Sequence, residues 1–258
     1  MRYTISNYED LAMTLTECKN KLVAGGEVTF TFVGDSLTWG ENHCSAEQTY
    51  VACFARRVGE LFSEAGIIRY DGQAGGAMTP LQGYDKVIVR EGVRGTIHII
   101  RSGVGGNTVV RANNRFGDFT GVLCSGTHSD FIFTLFGVND ALACDKTKYV
   151  TPAVFGEQYR AFLERIQASE PQAKVIIITA SYNDQSVDEH VSESIRIAGL
   201  LGIDVIDLNS LWRAHYSPLA DNFGHGDWLA GGTDATHFTP KSASISADFI
   251  FEKFSALI

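Results

Sequence analysis

Nothing in the 258-residue sequence approaches the roughly 18 consecutive apolar residues of a membrane-spanning helix, so no membrane association is expected. Positive charge is scarce too: 21 Lys and Arg stand against 30 Asp and Glu, a formal net charge of −9. No Lys/Arg cluster offers a local exception, and a polyanion such as DNA or RNA is repelled on average. Nucleic acid is therefore not an expected partner. The five cysteines (Cys18, Cys44, Cys53, Cys124 and Cys144) are odd in number, scattered and without a CxxC pair, which argues against a disulfide framework and for reduced thiols. The opening residues, MRYTISNYEDLAMTL, carry acids early and have no apolar core of a secretory signal, so the expected location is cytoplasmic. Secretion would require a leader removed beforehand.

What remains is a chain 45% hydrophobic and 20% charged, the profile of a globular protein with a sizeable core. Five apolar runs read as strands: 28–34 (VTFTFVG), 96–102 (TIHIIRS), 130–137 (DFIFTLFG), 174–180 (KVIIITA) and 203–208 (IDVIDL). Most are continuous rather than alternating, as when helices cover both faces of a parallel sheet. Segments of helical period lie between them. Tyr50, Phe54, Val58, Leu61 and Phe62 share one face; Phe155, Tyr159, Phe162, Leu163 and Ile166 share another, before Pro171; Val187, Val191 and Ile195 make a third. A first helix spans 8–24 and closes at Gly25-Gly26. Thr239 and Pro240 read as N-cap and first residue of a last one. Strand–helix alternation from end to end predicts a doubly wound α/β sheet in one domain, 1–258. Two segments exceed that plan: the Gly-rich connection 67–94, whose strand-like DKVIVRE suggests a hairpin, and the loop 216–233.

Ligands of open α/β sheets bind beyond the carboxyl ends of the strands. There the chain places Gly34-Asp35-Ser36, then GVGGNT (103–108), GVND (137–140), SYND (181–184) and, before the final helix, DATH (234–237). Singly, each is explained as readily by a turn or a helix cap. Together they supply complementary chemistry. Ser36 can attack a carbonyl, His237 can take its proton, and Asp234, three residues earlier, can orient the imidazole. The backbone N–H groups of Ser36 and Gly106 and the side-chain amide of Asn139 can donate to a developing oxyanion. The G-x-S-x-G of α/β-hydrolases is absent, since Leu37 and Thr38 follow the serine.

The blocks GDSLTWG, GVGGNT, GVND and DATH, in that order over 34–237, resemble the four sequence blocks of the SGNH/GDSL hydrolase family. That resemblance implies a three-layer α/β/α sandwich with a five-stranded parallel sheet, flavodoxin-like in order. It implies metal-independent ester hydrolysis through an acyl-enzyme, with no cofactor. It places the family's Ser, Gly, Asn and His on Ser36, Gly106, Asn139 and His237, with the acid on Asp234. The family's second block often opens with Asn five residues before its glycine; here Arg101 stands there, which leaves Gly105 as an alternative to Gly106. Asp35, Trp39, Tyr182, Asn183, Asp227 and Trp228 are the candidate substrate-binding residues, because aromatic rings beside amides and acids suit a sugar. The expected substrate is a short-acyl, acetyl ester of a carbohydrate or similar small molecule, with lysophospholipids and thioesters as same-family alternatives. Two other classes account for less of the sequence: a nucleotide- or flavin-binding module, which leaves Ser36, Asn139 and His237 without a task, and a metal hydrolase using His43, Cys44, His225, His237 and Asp234, which lacks paired ligand spacing.

Overall fold

The computed structural model describes residues 13–40, 44–74, 81–116, 128–141, 147–181, 185–216 and 237–258. In chain order the strands are β1 (Glu27–Gly34), β2 (Gly66–Ala74), β3 (Leu81–Arg90), β4 (Thr96–Gly103), β5 (Phe131–Leu135), β6 (Lys174–Ile178) and β7 (Asp204–Ile206). The helices are α1 (Leu15–Val23), α2 (Ser36–Trp39), α3 (Tyr50–Leu61), α4 (Val109–Asn114), α5 (Val138–Ala141), α6 (Pro152–Ser169), α7 (Gln185–Leu201), α8 (Leu208–Tyr216) and α9 (Pro240–Leu257). The strands form one sheet in the order β3-β2-β4-β1-β5-β6-β7. The expected five-stranded parallel sheet is thus corrected to seven strands: six run parallel, and β3 pairs antiparallel with β2 at the edge. No helix among the described residues is long and apolar enough to cross a membrane.

The continuous apolar strands are buried on both faces. On β1, β5 and β6 alternate residues feed two separate cores. Phe30, Phe32, Phe131, Phe133, Ile176 and Ile178 join residues of α1, α3, α8 and α9 in one core. Val33, Ile132, Val175 and Ile177 join residues of α4 and α6 in the other. This period-two division is what a sheet between two helical layers requires. Parallel pairing puts Phe30 beside Phe131 and Phe32 beside Phe133, and their rings stack with centroids 5.0 and 4.6 Å apart. Phe54 of α3 and Phe254 of α9 close over them edge-on.

The helix faces follow the sequence with two exceptions. Leu61 and Ile195, at the ends of their apolar stripes, are exposed. The first helix begins at Leu15, capped by a Thr14–Glu17 box, and residues 1–12 lie outside the described part of the chain. Thr239 caps α9 as expected, with Pro240 at its first position. Strand β1 lies centrally, and the chain leaves it first toward β4 and β2, then crosses to β5 on its other side. That reversal makes the carboxyl ends of β1 and β5 the crevice of the sheet.

Candidate active site

The first group sits where β1 runs out. Gly34 is level with Gly103 of β4 and Leu135 of β5, so three loops leave the sheet at one edge. Asp35 stays extended as N-cap, its Oδ1 accepting from the Leu37 N–H at 2.9 Å, and Ser36 opens the single turn α2. A residue in a helix's first turn has no intrahelical acceptor for its N–H, so the Ser36 amide is a donor at the same place as its hydroxyl. The turn folds back closely over β4: a Cβ on Gly103 would lie 2.1 Å from the Trp39 nitrogen. Thr38 Oγ1 bonds the Tyr50 hydroxyl at 3.0 Å, and burial pushes the Tyr50 pKa up, so this link is neutral.

Across the crevice, Ser36 Oγ lies 2.8 Å from His237 Nε2. The two residues are 201 positions apart in the chain, and a specific anchor holds the histidine. The adjacent Phe238 is buried against the rings of Tyr50 and Trp212, its carbonyl accepts the Cys44 thiol at 3.4 Å, and the Thr239 cap follows.

The third and fourth groups are tied to each other. Gly106 has φ +66°, which favours glycine, and Asn107 donates its N–H back to the Val104 carbonyl in a tight turn. Asn139 follows β5 in α5. One hydrogen of its amide goes to the Asn107 carbonyl at 3.0 Å, which leaves the second free to point elsewhere. Arg115 holds the Asn107 side chain at 3.1 Å. The next residue, Asp140, is fully buried and accepts the Val109 N–H at 2.9 Å, joining the β5 turn to the start of α4. Its Oδ2 finds no hydrogen-bond partner among the described residues. Burial, and beyond it the charge of Asp35, pushes the Asp140 carboxyl up to about 8 against the opposing pull of its backbone hydrogen bonds.

The structure thus brings Ser36, Gly106, Asn139 and His237 to one end of one sheet. Asp35, expected among the substrate contacts, is instead wholly buried, and its work is to cap α2. Trp39 is half-buried, and its backbone carbonyl accepts from Arg101. Asp234, the expected orienting acid, lies outside the described residues, as do Tyr182, Asn183, Asp227 and Trp228. So do His43 and His225 of the metal alternative, and among the described residues no three His, Cys, Asp or Glu side chains gather as metal ligands would. Sequence reasoning missed Asp140 as a structural acid. Its place beside Asn139 in GVND was the only signal.

Several solved structures share this fold. A lipase/acylhydrolase from Enterococcus faecalis is 18% identical, with a TM-score of 0.59, covering 89% of this chain and 96% of its own. The acetyl xylan esterase AlAXEase, also 18% identical, gives 0.60 over 90% of this chain and 100% of its own. A two-domain esterase active on acetylated mannans, 15% identical, gives 0.65 over 94% of this chain and 53% of its own. At such identities the likeness speaks for the fold. No curated protein matches the sequence. The sequence model of the GDSL-like lipase/acylhydrolase family matches residues 32–244, most of the chain and all four of the sequence blocks. The chain belongs to that family of hydrolases.

Proposed function

We propose that the protein is a metal-independent serine esterase that cleaves a short-acyl ester, most simply an acetyl ester of a carbohydrate or similar small molecule, through an acyl-enzyme. The observation that carries this reading is the 2.8 Å approach of Ser36 Oγ to His237 Nε2 at the crevice of the sheet. In the first half-reaction Ser36 Oγ bonds to the ester carbonyl carbon while its proton passes to His237. The carbonyl oxygen becomes an oxyanion, received by the N–H groups of Ser36 and Gly106 and the Asn139 amide. Collapse of that intermediate breaks the bond to the alkoxy oxygen, which leaves as the alcohol with the proton from His237. Water then repeats the sequence on the acyl-serine and releases the acid. Asp234 is assigned to orient His237 through its other ring nitrogen.

The preference for a small acyl group rests on the proteins of like fold. At the nucleophile a cleft is lined by Ser36, Leu37, Cys44, Tyr50, His237 and Phe238, with Gly40 and Thr49. Esters of acetylated xylan and mannan are what two proteins of like fold are named for, and a third is a peptidoglycan O-acetylesterase. The test is the kcat/KM for p-nitrophenyl acetate, butyrate and octanoate, alongside acetate release from acetylated oligosaccharides, for wild type and Ser36→Ala. The proposal expects acetate to be fastest and Ser36→Ala to be inert. Octanoate as the best substrate would refute the short-acyl assignment.

A further inference from the structure

The turn that carries Ser36 is only four residues long, and its last residue, Trp39, offers a carbonyl that α2 itself cannot satisfy. Arg101 of β4 supplies the donor: its Nη1 bonds the Trp39 carbonyl, while its Nε gives a second bond to Asp71 Oδ1 at 2.9 Å. Asp71 belongs to β2 and is the register neighbour of Arg101. The same carboxylate takes three bonds of 2.9–3.0 Å from Arg69, whose far edge grips Glu47 in two bonds of 3.0 and 2.6 Å. Arg69, Asp71 and Arg101 are 1%, 6% and 6% exposed, so two buried guanidinium groups share one buried carboxylate.

Such a cluster is a poor way to gain stability. Desolvating the ions offsets their attraction, and apolar residues of like volume generally do as well or better. Its geometry has a different product: a planar fork held by Asp71 on one side can aim its remaining donors in only one direction, toward Trp39. We infer that Arg101 is a positioning residue, which fixes the Ser36–Trp39 turn, and with it the attacking oxygen, against His237 and the oxyanion donors. Asp71, Arg69 and Glu47 lock its guanidinium. The inference rests on the serine-esterase reading.

The experiment compares wild type with Arg101→Met, Arg101→Lys and Arg90→Lys. Arg90 serves as the structural control: it bonds the carbonyls of Gly59, Phe62 and Ala65 at the opposite end of the sheet from Ser36. Four readouts are taken: thermal unfolding, kcat, KM for p-nitrophenyl acetate, and the rate constant for fluorophosphonate labelling of Ser36. Misplacing a reacting atom by about 1 Å can cost on the order of 10²-fold. Arg101→Met is expected to lower kcat and the labelling rate together by about 10–100-fold, with KM little changed. Arg101→Lys falls between, because one ammonium cannot bridge Asp71 and Trp39 as the fork does. Arg90→Lys is expected to lose stability and keep both rates. Folded Arg101→Met with kcat and labelling rate within about twofold of wild type would overturn the inference alone. Should that variant not fold, Arg101→Lys decides by the same criterion. A wild type that takes up no probe would overturn the esterase reading, and this inference with it.

Discussion

Asp140 is a buried acid whose ionisation the fold opposes, and Asp140→Asn isolates that opposition. Its Oδ1 is satisfied by the Val109 N–H, its Oδ2 has no partner among the described residues, and Asp35 lies close enough to repel its charge. An ordinary aspartate titrates near 4; this one is pushed up to about 8. Between those values the native state binds a proton that the unfolded chain has released, so stability falls as pH rises. The contribution is fully present below about pH 4 and gone above about pH 8. A separation of that size corresponds to a ceiling on the order of 5 kcal/mol, and structural relaxation or water entry brings it down to a few. Asparagine mimics the neutral acid and can still accept from Val109. Urea denaturation of both proteins from pH 4 to 9 removes every other titration by difference. Asp140→Asn should be close to wild type at pH 4 and gain on it steadily up to about pH 8. A stability difference that stays flat across that range would refute the reasoning and leave Asp140 an ordinary ionised carboxylate.

Other outcomes follow from the same geometry. Asn139→Ala should cut kcat by something on the order of 10²–10³; steady-state kinetics check this, and full activity would remove the amide from the oxyanion site. Gly103→Ala should both destabilise the protein and slow turnover, because the added Cβ meets the Trp39 nitrogen at 2.1 Å and must push the nucleophile turn away; thermal unfolding and kcat together report it. Dialysis against EDTA should leave esterase activity unchanged, and a loss restored by a divalent cation would favour the metal alternative.

The functional groups were easier to read than the sheet that carries them. Ser36, Gly106 and Asn139 sit in short blocks directly after apolar strands and His237 just before the cap of the last helix, so finding those strand ends and that helix start was enough to place them together. The strand count failed at β2, GIIRYDGQA, because Arg69 and Asp71 break its apolar run. Those residues are inside the fold only because each finds an ionic partner there, one of them Arg101 from another strand. No periodicity rule anticipates that pairing. The hairpin partner β3 was visible as DKVIVRE, but its faces are largely half-exposed, and its place at the sheet edge depends on β2. Asp35 was misjudged for a related reason. In sequence it stands beside the nucleophile, which suggests substrate contact, whereas the chain spends it on capping the turn that presents Ser36.

The central claim is that His237 activates Ser36. The most direct measurement is intact mass after fluorophosphonate treatment of wild type, Ser36→Ala and His237→Ala. The account predicts one adduct on wild type, none on Ser36→Ala, and strongly slowed uptake on His237→Ala, with all three proteins folded. An adduct that persists on Ser36→Ala, or no adduct on folded wild type, would contradict it.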